Sequence, residues 1–154
     1  MARVTLGTGE SITVGGDTEI FGTSGAQNVT ILDGSTVTFR SGFNSGGDTI
    51  RLNGTASDFV VSFSGSNVTL TSVTDGITIV IPIGVVANTI VFDNGDSRSL
   101  SLVNGVPTLG GQAIPNIQNA APAPVTAGAG TYTVEGSSGT EGENVTFTVT
   151  RTDT

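Results

Sequence analysis

No stretch of this chain keeps helical spacing for three turns; short runs of β-branched residues are broken instead by turns rich in glycine, aspartate and asparagine. Strand-like runs fall at Ser11–Val14, Asn28–Leu32, Thr36–Arg40, Thr49–Leu52, Asp58–Phe63, Asn67–Ser72, Ile77–Ile81, Thr89–Phe92 and Ser97–Val103. Several alternate cleanly. Val68, Leu70 and Ser72 share one face against Asn67, Thr69 and Thr71, and Ile77, Ile79 and Ile81 oppose Thr78 and Val80. Asp75-Gly76, Asn94-Gly95 and Asn104-Gly105 each offer the positive φ angles of a two-residue type I′ loop, so at least the second half reads as an antiparallel meander. The expected class is all-β: an antiparallel, hairpin-rich sandwich or a short β-solenoid. Phe21, Phe39, Phe59, Phe63 and Phe92 sit in strand runs and read as core.

A second pattern overlies the first. The tetrad GGDT occurs at Gly15–Thr18 and again at Gly46–Thr49, 31 positions on. At the same offset Val29 answers Val60, and Gly34–Phe39 (GSTVTF) answers Gly65–Leu70 (GSNVTL). Internal similarity of this length predicts a duplicated supersecondary unit of about 31 residues. This β module spans 1–114. Residues 115–130 (PNIQNAAPAPVTAGAG) carry no charge and no alternation, and their Pro/Ala/Gly composition predicts an interdomain linker. Residues 131–154 hold two more strand-like runs, too little to bury a core of their own.

Composition narrows the function. The 154 residues include 23 glycines, no cysteine and no histidine, and five basic residues, all arginine, against 13 acidic ones, for a net charge of −8. Nucleic acid and anionic membrane surfaces would repel such a chain, and the usual zinc ligands are missing. The longest apolar stretch, Ile77 to Phe92, is interrupted by Pro82, Gly84 and Asn88 and is too short to span a bilayer, so no membrane insertion is expected. Met1-Ala2-Arg3 runs straight into a strand without an apolar leader, so an export address would belong to a longer parent chain. Without histidine or lysine no serine or threonine has a ready general base, and seven phenylalanines with one tyrosine and no tryptophan make a poor sugar-stacking platform. A non-enzyme is expected.

The acidic turns are the best candidates for chemistry. Calcium takes six to eight oxygens, and glycine-rich turns let backbone carbonyls converge beside one or two carboxylates. Asp17 and Asp48 in the two tetrads, and Asp93, Asn94 and Asp96 in a later turn, are therefore candidate Ca2+ ligands. Each also has a plain reading as a turn residue bonding its own backbone. The Asp93 turn has neither the ligand spacing nor the terminal glutamate of an EF-hand loop.

The segments FNSGGDTIRLNGTASDFVVSFSGSNVTLTS, DGITIVIP, NTIVFDNGDSRSLSL and LGGQAI resemble modules of large secreted bacterial proteins: type I-exported (RTX-related) calcium-binding proteins, S-layer proteins and adhesins. Gly46–Ile50 lacks the third glycine of a calcium β-roll repeat and the period is far from nine, so isolated calcium sites are implied, not a ladder. The tail TYTVEGSSGTEGENVTFTVTRTDT is similar to the opening strands of a Calx-beta-like immunoglobulin-type sandwich. The resemblance implies a non-catalytic, calcium-assisted structural or self-assembly module at a bacterial cell surface, with neighbouring domains of a parent chain as partners. A glycan-binding β module, with Tyr132 as its exposed aromatic, and an accessory domain of a secreted hydrolase are the alternatives. The apolar stripe Val145, Phe147 and Val149 on an incomplete sandwich predicts strand addition between subunits through residues 131–151.

Overall fold

The computed structural model describes residues 1–126 with their side chains, and the backbone of Thr131–Gly136 and Phe147–Thr152. The protein is all-β, as its turn-broken strand pattern predicts. Through the first half the chain passes back and forth between two sheets. Strands β1 (Ala2–Thr5), β3 (Asp17–Phe21) and β5 (Thr36–Phe39) lie side by side in one sheet; β2 (Ser11–Val14), β4 (Asn28–Ile31) and β6 (Thr49–Leu52) lie side by side in the other. Neighbours in each sheet are parallel, so every two strands complete one turn of a flat coil.

The second half is built differently. β7 (Phe59–Ser64) and β8 (Asn67–Ser72) form a hairpin, and β9 (Thr78–Pro82) lies antiparallel to β8 but parallel to β5. β10 (Asn88–Val91) then joins β6 in parallel, and β11 (Ser97–Val103), β12 (Val106–Leu109) and β13 (Gln112–Ala113) extend that sheet as an antiparallel meander. β14 (Ala123–Pro124) returns to pair with β7. Two mixed seven-stranded sheets result, ordered β1-β3-β5-β9-β8-β7-β14 and β13-β12-β11-β10-β6-β4-β2, an arrangement that fits a sandwich. One core lies between them: Ile20, Val37, Phe39, Ile79 and Leu70 from the first sheet meet Val29, Ile31, Ile50, Ile90 and Phe92 from the second. Phe59 and Phe92 pack ring to ring across it at 5.4 Å between centroids. Phe43, on a short 3-10 turn, stacks edgewise on Phe39 at 4.6 Å and is fully buried. Phe21 is not core: it is half-buried under Arg3, whose guanidinium carbon sits 4.9 Å from the ring.

Three sequence expectations change on inspection. Of the three Xaa-Gly pairs only Asn104-Gly105 closes a type I′ hairpin, with φ of 52° and 79°. In the Asp75-Gly76 and Asn94-Gly95 turns the glycine alone takes a positive φ, because both loops are longer than two residues. The 31-residue offset is not the structural period either. The ladders set Ala2 beside Thr18, Asp17 beside Thr36 and Asn28 beside Thr49, and the two tetrads open strands in opposite sheets. Lastly, residues 115–126, read from composition as linker, belong to the body. The amide of Phe63 donates to the Pro115 carbonyl, that of Ile117 to the Phe63 carbonyl and that of Val125 to the Phe59 carbonyl, and Val125 is buried. Proline is tolerated there because β14 is an edge strand, with one side free of ladder hydrogen bonds. In the tail, β15 (Thr131–Gly136) and β16 (Phe147–Thr152) pair with each other antiparallel; the side chains of Tyr132, Phe147 and Val149, and all of Val145, lie outside the described residues.

Candidate functional site

The five candidate calcium ligands occupy three separate places. Asp17 opens β3 on the surface of the first sheet, its carboxylate 63% exposed and 3.9 Å from the N-terminal ammonium. Asp48 sits at the opposite extreme, fully buried just before β6. Asp93 and Asn94 are exposed on the β10–β11 turn, where the Asn94 side-chain oxygen accepts the Asp96 amide at 3.0 Å. Asp96 turns inward instead and meets Arg98: Nε donates to both carboxylate oxygens at 2.9 and 3.1 Å, and a terminal nitrogen donates at 2.7 Å. Its carboxylate is thus fully engaged, and the turn does not present three oxygens to one ion. Among the described residues no three acidic side chains gather into a metal-binding group.

The Asp48 corner is the most unusual of these places chemically. Because Asn28, Thr49 and Thr89 stand abreast in the parallel ladder, the residues just before them, Gln27, Asp48 and Asn88, stack at one corner of successive coils. All three are buried. The Gln27 amide donates to Asp48 Oδ1 at 2.8 Å, the Asp48 amide donates to Asn88 Oδ1 at 3.1 Å, and Asn88 Nδ2 donates to the Phe43 carbonyl at 2.8 Å. Gln27 Nε2 bonds Thr23 Oγ1 at 2.9 Å and also the Gly25 carbonyl. Two acceptors here have no hydrogen-bond partner among the described residues, Asp48 Oδ2 and Gln27 Oε1. Burial without a cation pushes the Asp48 carboxyl up to about 6, against the smaller opposing effect of the Gln27 amide.

Elsewhere the carboxylates serve the fold. Glu19 on β3 is clamped between Arg3 of β1 at 3.2 Å and Arg40, just past β5, whose Nε donates at 3.0 Å. The Arg40 hydrogen bond, with Arg3 behind it, holds its carboxyl below the usual range despite burial. Asp58 closes a capping box with Thr55, whose hydroxyl and amide both donate to it, and these bonds likewise lower its carboxyl. Sequence reading passes over the Arg3–Glu19–Arg40 and Asp96–Arg98 pairings. The second had a local signal, an acid just before a strand and an arginine two residues on, at the same alternation phase.

The outer face of the second sheet carries a different feature. Arg51 on β6 is exposed and, among the described residues, makes no ion pair. It lies between two shallow cavities, one of about 400 Å³ lined by Thr30, Leu32, Asp33, Asn53, Val91 and Asp93, the other of about 350 Å³ lined by Ser11, Thr13 and Asn28. No helix of the described residues is long and apolar enough to cross a membrane. No family model, no curated protein and no solved structure matches this chain.

Proposed function

We propose that this chain is a non-catalytic structural and self-associating module of a bacterial cell-surface protein of the S-layer or adhesin type, with calcium acting only at the Asp48 corner. The observation that carries the structural part is how the charged groups are used. Arg3, Arg40 and Arg98 each tie a carboxylate that holds neighbouring strands or a turn in place. A composition without cysteine, rich in threonine and glycine and strongly acidic supports an extracellular setting, where millimolar calcium can offset carboxylate repulsion. The calcium part rests on Asp48 alone, a buried carboxylate with an oxygen free of hydrogen bonds beside a glycine turn. Binding there adds about 2.7 kcal/mol at a free concentration 100-fold above Kd. Thermal melts in calcium and in EGTA test it: a higher midpoint in calcium is expected, and identical midpoints remove calcium from the reading. Strand addition through residues 131–151 remains the proposed route of chain-to-chain linkage, checked by light scattering on the chain with and without its tail.

A second reading, glycan binding, is favoured by Arg51 and the two shallow cavities beside it. A glycan array run with the native chain and with Arg51→Ala separates the two. Binding to one sugar class that vanishes in the variant would replace the structural reading.

A further inference from the structure

The two ends of this sandwich are finished differently. At the far end the edge strands are β14, which carries Pro124, and the two-residue β13. They are tied across the sandwich, since Gln112 Nε2 donates to the Pro124 carbonyl at 2.9 Å and its Oε1 accepts the Thr126 amide at 3.0 Å. Short, proline-bearing, cross-linked edges do not recruit strands. Among the described residues the near end has no such closure. β1 and β2 are the outermost strands of their sheets, each with a neighbour on one side only. The Leu6 amide donates to Phe21 and the Val14 carbonyl accepts from Leu32, so residues in phase with these face inward along the ladder. Arg3 and Thr5 on β1, and Ser11 and Thr13 on β2, therefore aim their amides and carbonyls at the open side. Val4 and Ile12 pack against the core yet remain only half-buried, because no described residue covers the core at this end.

We propose that this open end is a self-association surface at which two copies dock edge to edge about a two-fold axis, β1 against β1 and β2 against β2, both antiparallel. The pattern is self-complementary in both sheets at once. With the axis at Val4, Arg3 faces Thr5 of the second copy; with the axis at Ile12, Ser11 faces Thr13 of the second copy. Both registers keep inward side chains inward. Each strand pair then makes about four main-chain hydrogen bonds between residues whose amides and carbonyls face the edge. Val4 and Ile12 meet their own copies on the axis and extend the core across it. The opposite end offers no comparable edge, so this contact by itself closes as a dimer and does not run on as a fibre. The interface is small, so the dimer dissociates in roughly the micromolar to millimolar range. This association is independent of the tail and of calcium.

Sedimentation equilibrium of the full chain in EGTA, over roughly three decades of concentration, reads the dimer constant directly. The side chains of Ser11, Thr13 and Thr5 are exposed, so substituting them leaves the protomer fold intact by circular dichroism. Ser11→Lys with Thr13→Lys sets lysine against lysine twice across the axis and weakens the dimer by roughly two- to thirty-fold. Ser11→Lys with Thr13→Glu sets lysine against glutamate and restores it. Thr5→Lys, which faces Arg3 of the second copy, weakens it independently through the other sheet. A wild-type chain that stays monomeric overturns the proposal. So does a double-lysine variant that associates like wild type, or a Lys/Glu variant that associates no better than the double lysine.

Discussion

At the Gly15–Thr18 corner the aspartate points to solvent and the threonine into the core, whereas at the Gly46–Thr49 corner the aspartate is buried and the threonine half-exposed. The words are identical; the pleat phase is opposite. Inward residues of β3 are Thr18 and Ile20, and those of β6 are Ile50 and Leu52 with Asp48 in line before them. All are even-numbered, so an odd offset of 31 exchanges the two faces. The glycines differ too. Gly46 has a φ of 77° and sits where an added Cβ would come within 2.4 Å of the Val86 carbonyl oxygen, while a Cβ on Gly15 would meet side chains alone, Leu32 nearest at 3.3 Å. A shared tetrad has thus been used once as an exposed turn and once as a tightly packed, polar, buried corner.

The sharpest contrast within the molecule is between its buried aspartates, one with a cation and one without. Replacing Arg98 with Met leaves Asp96 buried and unpaired and should cost about 3–5 kcal/mol, read by urea denaturation. Adding Asp96→Asn should recover much of that loss; failure to recover would mean that the Arg98 contact to the Thr126 carbonyl, not the ion pair, is what matters. Next in size, Gly46→Ala should cost about 2–4 kcal/mol from left-handed strain and backbone clash, against under about 1 for Gly15→Ala. Equal losses at the two glycines would erase the distinction drawn between the corners.

Asp48 acts in the other direction. Its folded pKa of about 6 lies above the unfolded 3.8, so the native state favours the neutral acid. Stability is therefore highest below about pH 3.8 as far as this group is concerned, falls as pH rises toward 6, and is level above. In EGTA at pH 8, Asp48→Asn should raise stability by about 1–3 kcal/mol and flatten that slope, since Oδ1 can still accept the Gln27 amide. In calcium the gain should shrink or reverse. A gain that is the same with and without calcium would leave Asp48 as a buried charge with no ion to meet it. Smallest of all, Asp17→Asn should change the stability read by urea denaturation by less than about 0.5 kcal/mol.

Much of the strand map was legible in the chain. Ser11–Val14, Thr49–Leu52, Asn67–Ser72 and Ser97–Val103 are where the β-branched alternation puts them. β3 was hidden because Asp17 and Glu19 look like turn and surface residues, and only the arginines of neighbouring strands make Glu19 acceptable there. Parallel pairing was hidden for a related reason. A turn that crosses between sheets, such as Asp33-Gly34 between β4 and β5, uses the same residues as one that folds a hairpin, and the partner strand lies several segments away. The site was legible by residue type and not by orientation: the aspartates could be named, but which of them faces inward depends on pleat phase, and whether it meets an arginine depends on distant text.

The β7–β8 hairpin interrupts the coil, so β9 finds its parallel neighbour β5, and β10 its neighbour β6, only after that hairpin has been traversed. A simple solenoid zips one turn onto the last through nearest-neighbour contacts. Here the β7–β8–β9 meander can form early from local contacts, while the seam at β5–β9 and β6–β10 must wait for a long loop to close. The rate-limiting step of folding should therefore be docking of two preformed halves at that seam. Mutations at the seam, at Val37 and Ile79 or Ile50 and Ile90, would divide their effect between slower folding and faster unfolding, while an equally buried change at Ile20, inside a half formed before docking, would chiefly slow folding.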